Sequence, residues 1–177
     1  MQLDNELNLI KNEAIKEWTR KTLENVPEYF WKAQASSTGK YHPQCTCKIG
    51  GLITHVKRAI YIVNRLCTGW GFNEIQRDIV LSATILHDIA KTPSNDPKYS
   101  YADYENHPIN AEKYFAKDEK GKLIIATINE CIKLHMGLWS PASTKKSLEQ
   151  YTLLQLAVYT ADYIATTKDL VTPKDTE

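Results

Sequence analysis

The chain has 177 residues, 42% of them hydrophobic, with 22 Lys and Arg against 21 Asp and Glu. That length suffices for one apolar core without disulfides, so a single domain over residues 1–177 is expected. A formal net charge of +1 argues against the dense basic surface that drives duplex DNA binding, and no run approaches the roughly 18 apolar residues of a membrane span.

The opening segment, MQLDNELNLIKNEA, lacks a basic patch followed by an apolar stretch. No membrane partner is expected, and the expected location is cytoplasmic. The four cysteines, Cys45, Cys47, Cys67 and Cys131, include one C-x-C pair but no second close pair to complete a zinc site. They read as reduced thiols that pack or lie on the surface.

Helical periodicity runs through the whole chain, and neither an alternating strand pattern nor an internal repeat is visible. The fold class is therefore all-α, with an N-terminal helical part over residues 1–35 and a helical core over about 41–166. The first helix is expected from Asn5 to Glu24, ending before Pro27. The aromatic cluster Tyr29, Phe30 and Trp31 follows, and then a polar loop, ASSTGKYHPQCTCKIGG, that resembles a rim. Gly39-Lys40 within it lacks the earlier glycine and the following Ser or Thr of a phosphate-binding loop. Lys40 and His42 either line a site entrance or belong to a plain His-Pro turn.

After Gly50-Gly51 a second helix begins near Leu52, with His55, Ala59, Ile62, Val63 and Leu66 on one face. A third starts at Asn73, with Gln76 completing a capping box, carries Val80, Ala83 and His87 on one face, and ends close to Lys91. The tyrosine-rich loop TPSNDPKYSYADYEN leads to a helix opening at His107-Pro108, where proline suits the first turn. The next helix, Lys122 to Leu134, aligns Ile124, Ile128 and Cys131 with His135. The last, Ser147 to Thr166, places Asp162 on an apolar face with Leu154, Val158, Ala161 and Ala165.

Burying an unpaired carboxylate costs several kcal/mol, so Asp88 and Asp162 on core-facing positions require cations: metals, Lys91 or an Arg. Taken singly, each histidine reads more readily as a hydrogen-bonded core or surface residue than as a ligand. Jointly, His55, His87, His107 and His135 with two carboxylates are a ligand mixture for borderline divalent ions. Lys91 either stabilises a phosphate or is a solvated lysine ending a helix. Trp139, close behind His135, either stacks a nucleobase or packs.

His55, the adjacent His87-Asp88 in LSATILHDIAK, and the distant Asp162 resemble the H...HD...D signature of the HD superfamily. More narrowly, GGLITH, LHDIAK, His107-Pro108 and LHMGLWSPAS resemble the HD domain of YhaM-type 3'-to-5' exoribonucleases over residues 41 to 166. Met136 stands where those relatives often carry a second histidine, and no oligonucleotide-binding barrel is read ahead of the helices. The resemblance implies a helical HD bundle with two divalent ions, for which Mn, Fe, Mg, Ni, Co and Zn are equal candidates. It puts one ion on His55, His87, Asp88 and Asp162, and a second on His107 and His135, with Asp88 as the bridge and catalytic carboxylate. Lys91 is the implied catalytic, phosphate-facing ammonium. The implied activity is phosphohydrolysis of a small nucleotide. Alternatives are a phosphodiesterase or exonuclease acting on a short oligonucleotide or cyclic nucleotide, a mixed-valent di-iron oxygenase, and a non-catalytic nucleotide sensor.

Overall fold

The computed structural model describes residues 2–36, 39–93 and 96–175; parts of the two polar loops lie outside that set. Among the described residues every regular element is helical, as the periodicity requires. The order is α1 (Asp4–Leu7), α2 (Glu13–Glu24), α3 (Glu28–Lys32), α4 (Gly51–Gly69), α5 (Glu74–Leu86), α6 (Tyr101–Glu105), α7 (His107–Asn110), α8 (Lys122–Lys133) and α9 (Leu153–Ala165), with short 3-10 turns between some of them. None of the helices is long and apolar enough to cross a membrane.

Helix α4 is the centre, packed against α3, α5 and α9, with Leu52, Ile53, Val56, Ala59, Ile60, Ile62 and Val63 all buried. Its start is set by two glycines. Gly50 has φ +75°, a left-handed conformation that favours glycine. A Cβ on Gly51 would lie 2.1 Å from the Thr46 carbonyl oxygen, so only hydrogen fits there. This fixes the register in which His55 enters the core.

The expected first helix is two helices. Residues 8–12 leave the helix because the buried Asp78 of α5 accepts hydrogen bonds from the backbone N–H of Lys11 (3.0 Å) and Asn12 (2.7 Å). The neighbouring Arg77 donates to the Leu9 carbonyl at 2.8 Å, and the Asn12 side chain then caps α2. Asp78→Ala would remove both hydrogen bonds that hold this break and is expected to destabilise the protein by about 2 kcal/mol. Urea unfolding checks this: an unchanged midpoint would refute the role given to this carboxylate.

Two further boundaries differ from expectation. Helix α5 begins with the Asn73–Gln76 capping box but ends at Leu86, not near Lys91. Beyond it Ile89 N–H bonds to Leu86 O and Lys91 N–H to Asp88 O, three-residue spacings that tighten the chain into turns. His87 keeps helical dihedrals as the C-cap residue of the helix, and Asp88 opens the turn that follows. Helix α9 begins at Leu153, not Ser147, because Thr152 and Gln155 form its capping box and Leu148–Gln150 is a separate capped turn.

Arg58, fully buried on α4, ties down the C-terminal end of the chain. It donates to the carbonyls of Ala165 (3.0 Å), Thr167 (3.1 Å) and Leu170 (3.0 Å) and pairs with Asp175. The cysteines carry no disulfide, and Cys67 and Cys131 are buried in the core, in keeping with packing thiols.

Candidate metal centre

Helices α4, α5, α8 and α9, with the start of α7, converge on one buried cluster. His55 comes from the first turn of α4, His87 and Asp88 from the end of α5, His107 from α7, His135 from just beyond α8, and Asp162 from α9. Five of these six side chains are at most 2% exposed. Asp162, at 18%, marks the opening of the site.

The two oxygens of Asp88 face different pairs of histidines. Oδ2 lies 3.7 Å from His55 Nε2 and 3.5 Å from His87 Nε2. Oδ1 lies 3.0 Å from His107 Nε2 and 3.5 Å from His135 Nε2. Asp162 Oδ1 faces the first pair, 2.9 Å from His55 and 3.5 Å from His87. Three overlapping triads result, each with ligand atoms within 4.8 Å of one another: His55, His87 and Asp88; His87, His135 and Asp162; Asp88, His107 and His135.

Backbone carbonyls in the last turns of three helices orient the imidazoles. His87 Nδ1 bonds to Thr84 O at 2.7 Å in α5, His107 Nδ1 to Tyr104 O at 2.6 Å in α6, and His135 Nδ1 to Ile132 O at 2.7 Å in α8. None of these carbonyls receives the i+4 bond of a continuing helix, and accepting from Nδ1–H directs Nε2 of each ring into the cluster. His107 Nε2 and His135 Nε2 face each other at 3.2 Å, with the carboxylate oxygen Asp88 Oδ1 beside them. Burial holds the His107 pKa below its ordinary value, and Asp88 Oδ1 is buried without an aligned hydrogen-bond donor among the described residues. Two imidazole nitrogens and a carboxylate oxygen converging in this way fit a cation. Imidazole with carboxylate is a donor set for a borderline divalent ion.

The other corner carries its own positive charge. Burial works against ionising Asp88 and Asp162, but Lys91, His87, His107 and His135 around the first, and His55 and His87 around the second, hold both pKa values well below the ordinary range. Lys91 Nζ lies 3.0 Å from Asp88 Oδ2. Its residue is only 9% exposed, so it is not a solvated helix-ending lysine. Burial opposes its charge and the Asp88 carboxylate outweighs burial, leaving the ammonium pKa raised.

Burial likewise disfavours an imidazolium at His87, and the carboxylates of Asp88 and Asp162 overcome it, lifting its pKa to about 10. In the metal-free protein that proton stabilises the fold fully below the unfolded value of roughly 6.5, and the contribution is lost as pH rises through about 10. A ligating imidazole must give the proton up. Manganese uptake near neutral pH is therefore expected to release a proton, and affinity to rise with pH. Calorimetric titration in buffers of different ionisation enthalpy checks this, and uptake without proton release would remove His87 from the ligand set.

The residues expected around the entrance separate. His42 is half-buried with its ring edge-on to His55 at 5.3 Å; the Nδ1 atoms of both rings are buried without a partner among the described residues. Lys40 is exposed, its ammonium 5.1 Å from the centre of the Tyr41 ring, which puts it on the surface and not among the ligands. Trp139 is 62% exposed and not packed in the core. It stacks on Tyr163, centroids 6.4 Å apart and planes within 14°. Sequence reasoning did not find Tyr163, although its position next to Asp162 was a signal. Nor did it find the Thr84, Tyr104 and Ile132 carbonyls, each three residues before a histidine.

Residues 52–167 match the HD domain family. No curated protein and no solved structure matches the chain, so the narrower likeness to YhaM-type exoribonucleases gains nothing from them. The matched span covers well over half of the chain and contains all six converging side chains, and the chain belongs to the HD domain family.

Proposed function

We propose that this chain is a metal-dependent phosphohydrolase acting on a phosphate ester or anhydride of a nucleotide-like substrate. The observation that carries the reading is the division of Asp88: one oxygen faces His55 and His87, the other faces His107 and His135 and lacks an aligned donor among the described residues. A carboxylate placed in this way suits two cations, one per corner, with Asp88 shared. HD domains are generally metal-dependent hydrolases, which supports the reaction class.

Divalent ions held there supply a water of lowered pKa and neutralise charge on phosphate oxygens. His55, His87, Asp88 and Asp162 would hold one position, and Asp88, His107 and His135 the other. The carbonyls behind three of the histidines keep Nε2 aimed inward, so the ligands need no reorganisation when the site fills. Lys91, fixed by Asp88, presents an ammonium to developing charge on the phosphoryl oxygens. Asp162 lies at the opening, through which substrate reaches the centre.

Mass spectrometry of products tests the reading, after incubation with manganese and a panel of nucleoside mono- and triphosphates, cyclic dinucleotides and short RNA and DNA oligomers. Chelator-sensitive phosphate, tripolyphosphate or mononucleotide from one class supports it and names the substrate. No turnover across the panel overturns it in favour of a di-iron oxygenase or a sensor, which oxygen consumption with iron then separates.

A further inference from the structure

The metal centre opens beside a row of aromatic rings that its chemistry does not use. Tyr151 meets Tyr159 edge-on at 6.2 Å, Tyr159 meets Tyr163 at 6.0 Å, and Tyr163 stacks on Trp139 at 6.4 Å. The row joins the two segments that flank the opening. Tyr159 and Tyr163 stand on α9 either side of Asp162, whereas Trp139 follows His135. The link is tight: Gly137 has φ +59°, and a Cβ there would sit 2.2 Å from the Tyr159 ring. Tyr151 donates to the Leu134 carbonyl at 3.1 Å, next to His135.

Core aromatics hide their faces, but Trp139 and Tyr163 are 62% and 53% exposed while held nearly parallel. Leu138 beside them is 51% exposed. A cluster of apolar side chains kept in water at the mouth of a buried polar site marks a binding surface. Its chemistry is complementary to one kind of molecule. The buried centre, with Lys91 and its ligands for cations, takes an anionic phosphate, and the exposed π surface carried by Tyr163, next in the chain to the partly exposed Asp162, takes a planar ring.

We propose that the Trp139–Tyr163 pair is the base-binding platform of the site, so that the substrate is a single nucleotide unit with its phosphate at the metal centre and its base stacked on these rings. This deepens the phosphohydrolase reading and rests on it. Stacking uses the face that every base possesses. The platform therefore favours purines for their larger face and discriminates weakly among bases of one size.

The test is binding of adenosine 5'-monophosphate and of ribose 5-phosphate to the manganese-loaded full chain, followed by tryptophan fluorescence and calorimetry within seconds to minutes of mixing. Adenosine 5'-monophosphate is expected to bind at least about ten-fold more tightly, the scale of one base stack. Its quenching should disappear in Trp139→Ala. Tyr163→Ala, which keeps the indole, should weaken adenosine 5'-monophosphate about ten-fold and leave ribose 5-phosphate and metal content unchanged. Both side chains are exposed, so bound manganese serves as the check on folding. Equal affinity for the two probes, or unchanged adenosine 5'-monophosphate affinity in either variant, overturns the platform. Hydrolysis without base preference removes the platform alone. Base-dependent binding with no phosphate ester hydrolysed removes the phosphohydrolase reading alone.

Discussion

Asp88→Ala is expected to leave the protein without stoichiometric divalent metal. The carboxylate stands between both histidine pairs, one oxygen facing each, so its loss removes a ligand atom from each corner. Plasma mass spectrometry after manganese loading and desalting should give the full ratio for wild type and close to none for the variant. Wild-type loading in Asp88→Ala would sink the shared position. The substitution also leaves Lys91 buried without its 3.0 Å partner, a change that costs about 3 to 5 kcal/mol and can prevent folding. Asp162→Asn provides the second measurement, because this side chain is partly exposed and its shortest contacts are to the His55 and His87 pair. It is expected to fold and to lose about half the metal, and full retention would exclude Asp162 as a ligand.

Lys91→Ala separates charge stabilisation from metal retention. It removes an ammonium and leaves every metal-facing nitrogen and oxygen in place, so metal content should match wild type. Turnover should fall about 10²- to 10³-fold, as when one preorganised donor to a transition-state oxygen is deleted. The loss should lie in kcat and not in KM if the ammonium acts on charge that develops during reaction. Lost metal would recast Lys91 as a residue that holds Asp88 in position, and an unchanged rate would exclude it from the chemistry.

Much of this arrangement is legible in the residues because the ligands sit on strongly periodic helices. His55 with Ala59 and Val63, and Asp162 with Val158 and Ala165, share faces by spacing alone, and the structure buries those neighbours. Periodicity fails where local polar groups act against it. Asp78 breaks an apparently continuous first helix from 66 and 67 residues away, and no local pattern encodes that separation. The end of α5 fails for a related reason: residues 87–91 carry an apolar, helix-compatible pattern, yet three-residue bonds tighten them into turns. The role of Tyr163 was hidden because on α9 it reads as a polar-face aromatic; only the stack with Trp139 distinguishes it.

The grip of Arg58 on the chain beyond α9 bears on where this domain can be cut. The family match stops at residue 167, but two of the four groups that satisfy this guanidinium, the Leu170 carbonyl and the Asp175 carboxylate, lie past that point. Lys174 meanwhile reaches back to Glu6, 3.6 Å away on α1. A shortened protein designed on the family boundary would leave a buried positive charge half unsolvated one turn of α4 from His55, and would unfasten the two termini from each other. The minimal folding unit is therefore longer than the homologous one, and a terminal fusion is better carried beyond residue 175 than joined at residue 167.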